Sequence, residues 1–355
     1  MTYNNSSIKN RIPSLQSSLE ENALLIEDPT DLYYLTGLSL SLGQLWLSSK
    51  EALLLVDGRY IESAKKALCP ASLVSTKEVQ AFIQRNQIKN VELDGAKTTF
   101  DRVLTLQKNH PDLSFTSHPF ATKKLRLIKD PSELNSLKKS ADLLWEGFIY
   151  LQTLLHEGIS EKEVATQFTI FCLERGADGL SFDPIIAFGE NSAMPHYRAG
   201  QRRLKQGDVI LVDIGVFCDH YHSDMTRMLF FGPKDPILSK WFNIVLEAHE
   251  AALSLCKAGL HIKELDIAAR AVFKKHEVEE YFVHSLGHGV GLEIHEFPKI
   301  RFDAAEGDLI LKPGMVFTIE PGLYLPGTGG IRYEDTIFIT ENGYTNFTPK
   351  HLSSL

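Results

Sequence analysis

Two pairs of carboxylates, each on apolar strand-like sequence, flank a histidine set among glycines. Upstream, Asp213 lies in the run 209–217 and Asp224 in 221–231. Downstream, Glu320 closes 315–320 and Glu334 follows Ile331-Arg332-Tyr333. Between the pairs stands His284-Ser285-Leu286-Gly287-His288-Gly289-Val290-Gly291, with His295 just beyond. Three glycines in five residues argue against a helix or a plain strand. They predict a bend at which backbone and imidazole approach something closely. A carboxylate inside an apolar run is costly unless a cation pairs with it. Four carboxylates and one imidazole form a hard, oxygen-rich donor set, suited to two divalent ions. Mn²⁺ fits best, with Co²⁺ or Fe²⁺ as alternatives, in preference to a structural zinc site. Two such ions about 3.5–4 Å apart share a water, lower its pKa and direct it at a carbonyl, which is hydrolysis.

The elements must bring these groups together. A hairpin turning at Cys218-Asp219 would set Asp213 directly across from Asp224, with both side chains on one face. Glu320 meets its strand end at Pro321-Gly322, and Gly327-Thr328-Gly329-Gly330 connects to the strand of Glu334. Arg332, two residues before Glu334, shares its face and either orients a bridging carboxylate or substrate or forms a plain salt bridge. His196, His284 and His295 are candidates to bind a carbonyl oxygen or shuttle protons, although any one alone would read as structural. His220 and His222, beside the turn, are expected to be exposed. Phe297 and Tyr324 read as core, or as an apolar wall near the site.

The chain has 355 residues, 43% hydrophobic and 23% charged, with a formal net charge of -8. That length suits about two domains, and the charge argues against a nucleic-acid partner. The polar start, Met1 to Ser18, lacks the apolar core of a signal peptide, and no apolar run reaches membrane-spanning length. Cys69, Cys172, Cys218 and Cys256 share no short spacing and read as free thiols of a cytoplasmic protein.

Strands at Ala23–Ile26, 45–47, Ala52–Val56, Val74, 91–93 and 113–115 alternate with helical stretches at 10–21, 61–68, 78–85 and 100–108. This predicts a small α/β domain over 1–125, in which Asp57 and Arg59 read as turn and surface residues. The second domain, 126–355, opens at Asp130-Pro131-Ser132-Glu133, a capping box with proline at the first helical position. That helix should run to about His156. A second box, Ser160 with Glu163, starts another that stops at Gly176. Gly158-Ile159-Ser160-Glu161-Lys162-Glu163 recurs as Gly259-Leu260-His261-Ile262-Lys263-Glu264. Each copy sits between two helices and precedes a strand pair bearing two acids. The order predicts duplicated halves, with the four acids on one central sheet.

Taken together, Val212-Asp213-Ile214-Gly215, Ser223-Asp224-Met225-Thr226-Arg227, His284 through Gly291, Ile319-Glu320-Pro321-Gly322 and Arg332-Tyr333-Glu334-Asp335 resemble the pita-bread metallopeptidases, in particular the aminopeptidase P and prolidase branch. The match spans 130–345, and the preceding segment resembles that branch's N-terminal domain. The resemblance implies an α/β N-terminal domain and an α+β catalytic domain with pseudo-twofold halves. It implies that Asp213 binds one ion, His288 and Glu320 the other, and that Asp224 and Glu334 bridge both. Glu320 would also handle protons. His196, His284 and His295 match substrate-contacting or proton-shuttling histidines, and Arg332 an arginine near the site. His220 departs from a common glycine before Tyr221. The implied activity is an Xaa-Pro aminopeptidase acting on peptides with proline in second position. Prolidase, which takes Xaa-Pro dipeptides, is the nearest alternative. A non-catalytic binding module would be expected to have lost ligands, and all five are present. Homodimers are common in the family.

Overall fold

A computed structural model describes residues 5–67, 69–118, 122–305 and 307–348. Its contacts divide the chain into Met1–Arg126 and Leu127–Leu355.

In the first unit six strands form one sheet, in spatial order Ala71–Leu73, Ala52–Val56, Gly43–Leu47, Ala23–Ile26, Asn90–Leu93 and Ser114–Ser117. The central trio is antiparallel, and each outer pairing is parallel. The first helix is Asn5–Gln16 rather than 10–21. The stretch expected to run from Ile61 to Leu68 is helical only over Ile61–Ala64, and Leu68 lies outside the described residues. A helix not anticipated, Pro29–Thr36, is capped by Asp28 and closed by Gly37 at φ +72°. The Asp57–Arg59 pair is exposed.

The second unit is built twice. Helix Pro131–Leu154 has the Asp130/Glu133 capping box and helix Glu161–Glu174 the Ser160/Glu163 box. They precede the strands Ile185–Phe188, Val209–Ile214 and Met225–Phe230, which form one antiparallel sheet. Helices Pro236–Ser254 and Lys263–Lys275 precede a five-stranded sheet that contains Gly287–Gly289, Val316–Ile319 and Asp335–Thr340. At the repeat, Ser160 bridges to Arg203 and, in the second copy, His261 to Ile310.

Alternation along the Asp213 strand explains why it is apolar throughout. Ile210, Val212 and Ile214 pack with Phe148, Phe168 and Cys172 from the first helix pair. Val209 and Leu211 pack with Ile244, Val245, Leu265 and Phe317 from the second half. Both faces are buried, so the hydrophobic run is continuous. Period two places Asp213 on the face turned to the second half.

Two expectations change. The hairpin turns at Asp219-His220, both at positive φ (50° and 69°), and not at Cys218-Asp219. Two consecutive left-handed residues give the tight turn that matches strand twist, and His220 occupies a position that favours glycine. The register moves by two, so Asp213 faces Thr226 instead of Asp224. A shift of two preserves parity, and the acids remain on one side. The four acids also do not share one sheet. They line the seam where the two sheets meet, stitched by Glu334 N–H donating to Thr226 O (3.2 Å) and Thr336 Oγ1 to Asp224 O (2.9 Å).

Candidate metal centre

Four of the candidate donors reach the seam at or near a strand end, and His288 reaches it from the middle of one. Asp213 is the fifth residue of its strand, and Asp224 immediately precedes Met225–Phe230. Glu320 follows Val316–Ile319, and Glu334 lies in the break between Gly329–Arg332 and Asp335–Thr340. His288 is central in Gly287–Gly289. This segment is a short strand after all, not only a bend. Its glycines are needed for close approach: a Cβ on Gly287 would strike Thr318 O, one on Gly289 would strike Phe297 O, and one on Gly291 the Glu296 carboxylate. The pairing with Glu296–Ile300 slips by two between His288 and Gly289, and His288 lies opposite Lys299.

Asp224, His288 and Glu334 each offer a ligand atom within 4.8 Å of the others, a grouping suited to an ion. His288 Nδ1 faces Gly289 O at 3.1 Å, so its proton sits there and Nε2 carries the lone pair. Nε2 lies 3.5 Å from both Asp224 Oδ2 and Glu320 Oε1. Donors that share an ion at roughly 2.0–2.2 Å stand about 3–3.5 Å apart, so this spacing fits a metal. Asp213 Oδ1 and Glu334 Oε1 are buried with no hydrogen-bond partner. Burial, then mutual repulsion, lifts the Asp224 and Glu320 carboxyls well above their ordinary range. Burial and the Asp213 charge push Glu334 up to about 8. Burial takes the His288 imidazole down to about 3, with His295 adding to the shift. Enclosed acids with orphaned oxygens and a neutral imidazole are what a bound cation would satisfy.

The remaining groups arrange these donors. Arg332, buried, donates through Nη2 to Asp213, through Nη1 to Tyr324 Oη (2.7 Å) and through Nε to Thr226 Oγ1 (3.1 Å). The Arg332–Asp213 contact is a salt bridge, and through Thr226 Arg332 also reaches Glu334. Thr226 Oγ1 in turn donates to Glu334 Oε2 at 2.7 Å. Arg227 donates to Glu334 O (2.6 Å) and pairs with Asp335 (2.7 Å), beside His249.

The three histidines of the reading line one cavity of about 580 Å³ with the five donors. His284 is bound on both sides of its ring: Nδ1 to Ser285 O (2.8 Å) and Nε2 to Tyr324 Oη (2.9 Å). Tyr324 therefore is neither simple core nor wall. Its hydroxyl accepts from Arg332 and donates to His284, and burial raises it to about 12. Among the described residues the rings of His196 and His295 make no hydrogen bond within the chain. His220 is exposed as expected. His222 is not: it packs on Phe217, its Nδ1 is buried, and burial lowers it to about 4. Thr226, Tyr324 and Arg227 carry no motif spacing of their own, although Thr226 and Arg227 stand beside Asp224 in a matching stretch.

The model of metallopeptidase family M24 matches residues 135–341, over half the chain. The chain is a member of metallopeptidase family M24. Residues 11–128 match the creatinase/prolidase N-terminal domain. This M24 chain is 36% identical over 349 residues to an Xaa-Pro dipeptidase of Pyrococcus furiosus, covering 96% of this chain and 98% of that one. It superposes on an Xaa-Pro dipeptidase from Bacillus anthracis with a TM-score of 0.93 at 33% identity, covering 98% and 100% of the two chains. An X-Pro aminopeptidase from Thermotoga maritima gives 0.87 at 30% identity, covering 96% and 99%. The duplicated second unit of this M24 protein is the pita-bread fold. Among the described residues no helix is long and apolar enough to cross a membrane.

Proposed function

We propose that this metallopeptidase is an Xaa-Pro dipeptidase, cleaving the bond between an N-terminal residue and a C-terminal proline. The family relationship supports peptide hydrolysis, and the dipeptidase relatives support the dipeptide reading over the aminopeptidase expected from sequence. The observation that carries it within the site is Lys299. This cation lines the cavity opposite His288 and makes no ion pair among the described residues. A free carboxylate close to the scissile bond exists in a dipeptide and not in a longer peptide. Lys299 is suited to hold it as a point charge.

Asp213, Asp224, His288, Glu320 and Glu334 would hold two divalent ions, Mn²⁺ by donor type, with Asp224 and Glu334 as the bridging pair. When bound, these ions supply carbonyl polarisation and a water of lowered pKa. The chain does the rest. Arg332 and Thr226 hold Asp213 and Glu334 so that one oxygen of each stays free. Glu320, enclosed beside His288, would take and return the proton of the attacking water. His196 and His295, with both ring nitrogens unengaged, meet the substrate carbonyl and the leaving nitrogen. His284 completes this side by fixing Tyr324 and Arg332. The tertiary X–Pro amide has no N–H, so recognition through an extended-strand N–H contact is not needed.

The test compares kcat/KM on an Xaa-Pro dipeptide and the matching Xaa-Ala dipeptide, with Mn²⁺ supplied. Preference for proline is expected, and equal rates would refute proline selectivity. A second reading, Xaa-Pro aminopeptidase, is supported by the Thermotoga likeness. It requires efficient cleavage of Xaa-Pro-Xaa tripeptides. Both readings take proline-containing peptides as partners, with the cytoplasm as compartment and a homodimer as assembly.

A further inference from the structure

His196 makes no hydrogen bond to the described chain, so its place is inherited from the loop that carries it. That loop runs from the end of strand Ile185–Phe188 to Gly200. One side chain ties it together. Glu161, the first residue of helix Glu161–Glu174, has 0% exposure. Its Oε1 accepts from Phe188 N (2.8 Å) and Asn191 Nδ2 (2.9 Å). Its Oε2 accepts from Tyr197 Oη (2.7 Å) and Gly200 N (3.1 Å). Those donors come from both ends of the loop and from the residue next to His196. Asn191 also donates to Tyr197 Oη at 2.8 Å, which closes the network.

We infer that Glu161 is the positioning residue of His196, fixing residues 188–200 so that the imidazole faces the cavity. The inference rests on the reading of His196 as a group that meets substrate. An anion with four short-range donors is strongly held, and its location in the first helical turn adds a favourable dipole. The other half repeats the device. Asp266, buried in helix Lys263–Lys275, accepts from Phe302 N and Arg270 Nε (both 2.9 Å), and Arg270 Nη2 donates to His284 O at 3.0 Å. In both halves a buried acid in the second helix anchors a histidine-bearing loop.

The experiment is a double-mutant cycle. Glu161→Gln keeps the size but sets an amide donor against a backbone donor and removes the charge. It is expected to lower kcat on an Xaa-Pro dipeptide by about 10- to 100-fold, the scale of a small misplacement. Bound metal should stay unchanged, and amide exchange at Phe188 and Gly200 should quicken. In a His196→Ala background the same change should cost no further turnover. Full additivity of the two substitutions would overturn the inference, as would unchanged kcat in Glu161→Gln. His196→Ala with unaltered turnover would separately refute the substrate role of His196 and leave Glu161 nothing to position. Should Glu161→Gln fail to fold, Tyr197→Phe removes a single hydroxyl and runs the same cycle with the same outcomes.

Discussion

The Arg332 guanidinium donates to the carboxylate of Asp213, although the two residues belong to opposite halves of the duplicated unit. The pair is buried and shares its neighbourhood with Thr226 and Tyr324. Removing one partner of a buried pair leaves an uncompensated charge, at a cost of about 3–5 kcal/mol. Arg332→Met should therefore lower stability by that order in metal-stripped protein. The loss should be smaller in the loaded protein, where an ion compensates Asp213. Denaturant unfolding of both forms measures it, and equal losses would contradict the ligand role of Asp213.

Asp224→Ala or Glu334→Ala should abolish turnover and release at least one ion per chain, because in the proposed site each of these two would serve both ions. Elemental analysis of the purified variants checks this. Two retained ions at full activity would reject the assignment.

Chelation should destabilise the protein more as pH rises. A carboxyl whose pKa is raised by folding contributes its full stability below the unfolded value. It loses that contribution as pH rises through the folded value. Glu334 moves from 4.5 to about 8, and Asp224 and Glu320 also move up. The stripped protein should therefore weaken from about pH 5 to pH 9, while bound cations hold these groups ionised in the loaded form. The gap in Tm between loaded and chelated protein is expected to widen across that range. A gap that narrows would contradict it.

Much of this site was legible because local rules place it. The two capping boxes and the repeat gave the helix order of both halves, and alternation put Asp213 and Asp224 on one side even though the register was two residues off. That error came from the turn, where His220 adopts a conformation glycine favours and sequence alone points a residue earlier. Asp28-Pro29 with Gly37 spells out an eight-residue helix by the same capping rules. The parts that were not legible depend on distant segments meeting. Thr226 reaches Glu334 across 108 residues, Tyr324 joins His284 across 40, and Glu161 reaches Gly200 across 39. His222 is partly buried, and its N–H donates to Gly291 O at 2.8 Å, so the segment at Gly291 lies against its strand.

Lys299→Met should raise KM for an Xaa-Pro dipeptide by about tenfold or more, the worth of a charge-assisted contact of about 1.5–3 kcal/mol, with little effect on kcat or on metal content. Steady-state kinetics distinguish this from a structural effect. An unchanged KM would remove Lys299 from the substrate site.

The most direct measurement is kcat/KM of the metal-loaded protein on an Xaa-Pro dipeptide and on the same sequence extended by one residue. A dipeptidase that holds the proline carboxylate should cleave the dipeptide at least about tenfold better, since the extension replaces a charged partner of Lys299 with a neutral amide. Equal or faster cleavage of the tripeptide would contradict the account and identify an aminopeptidase.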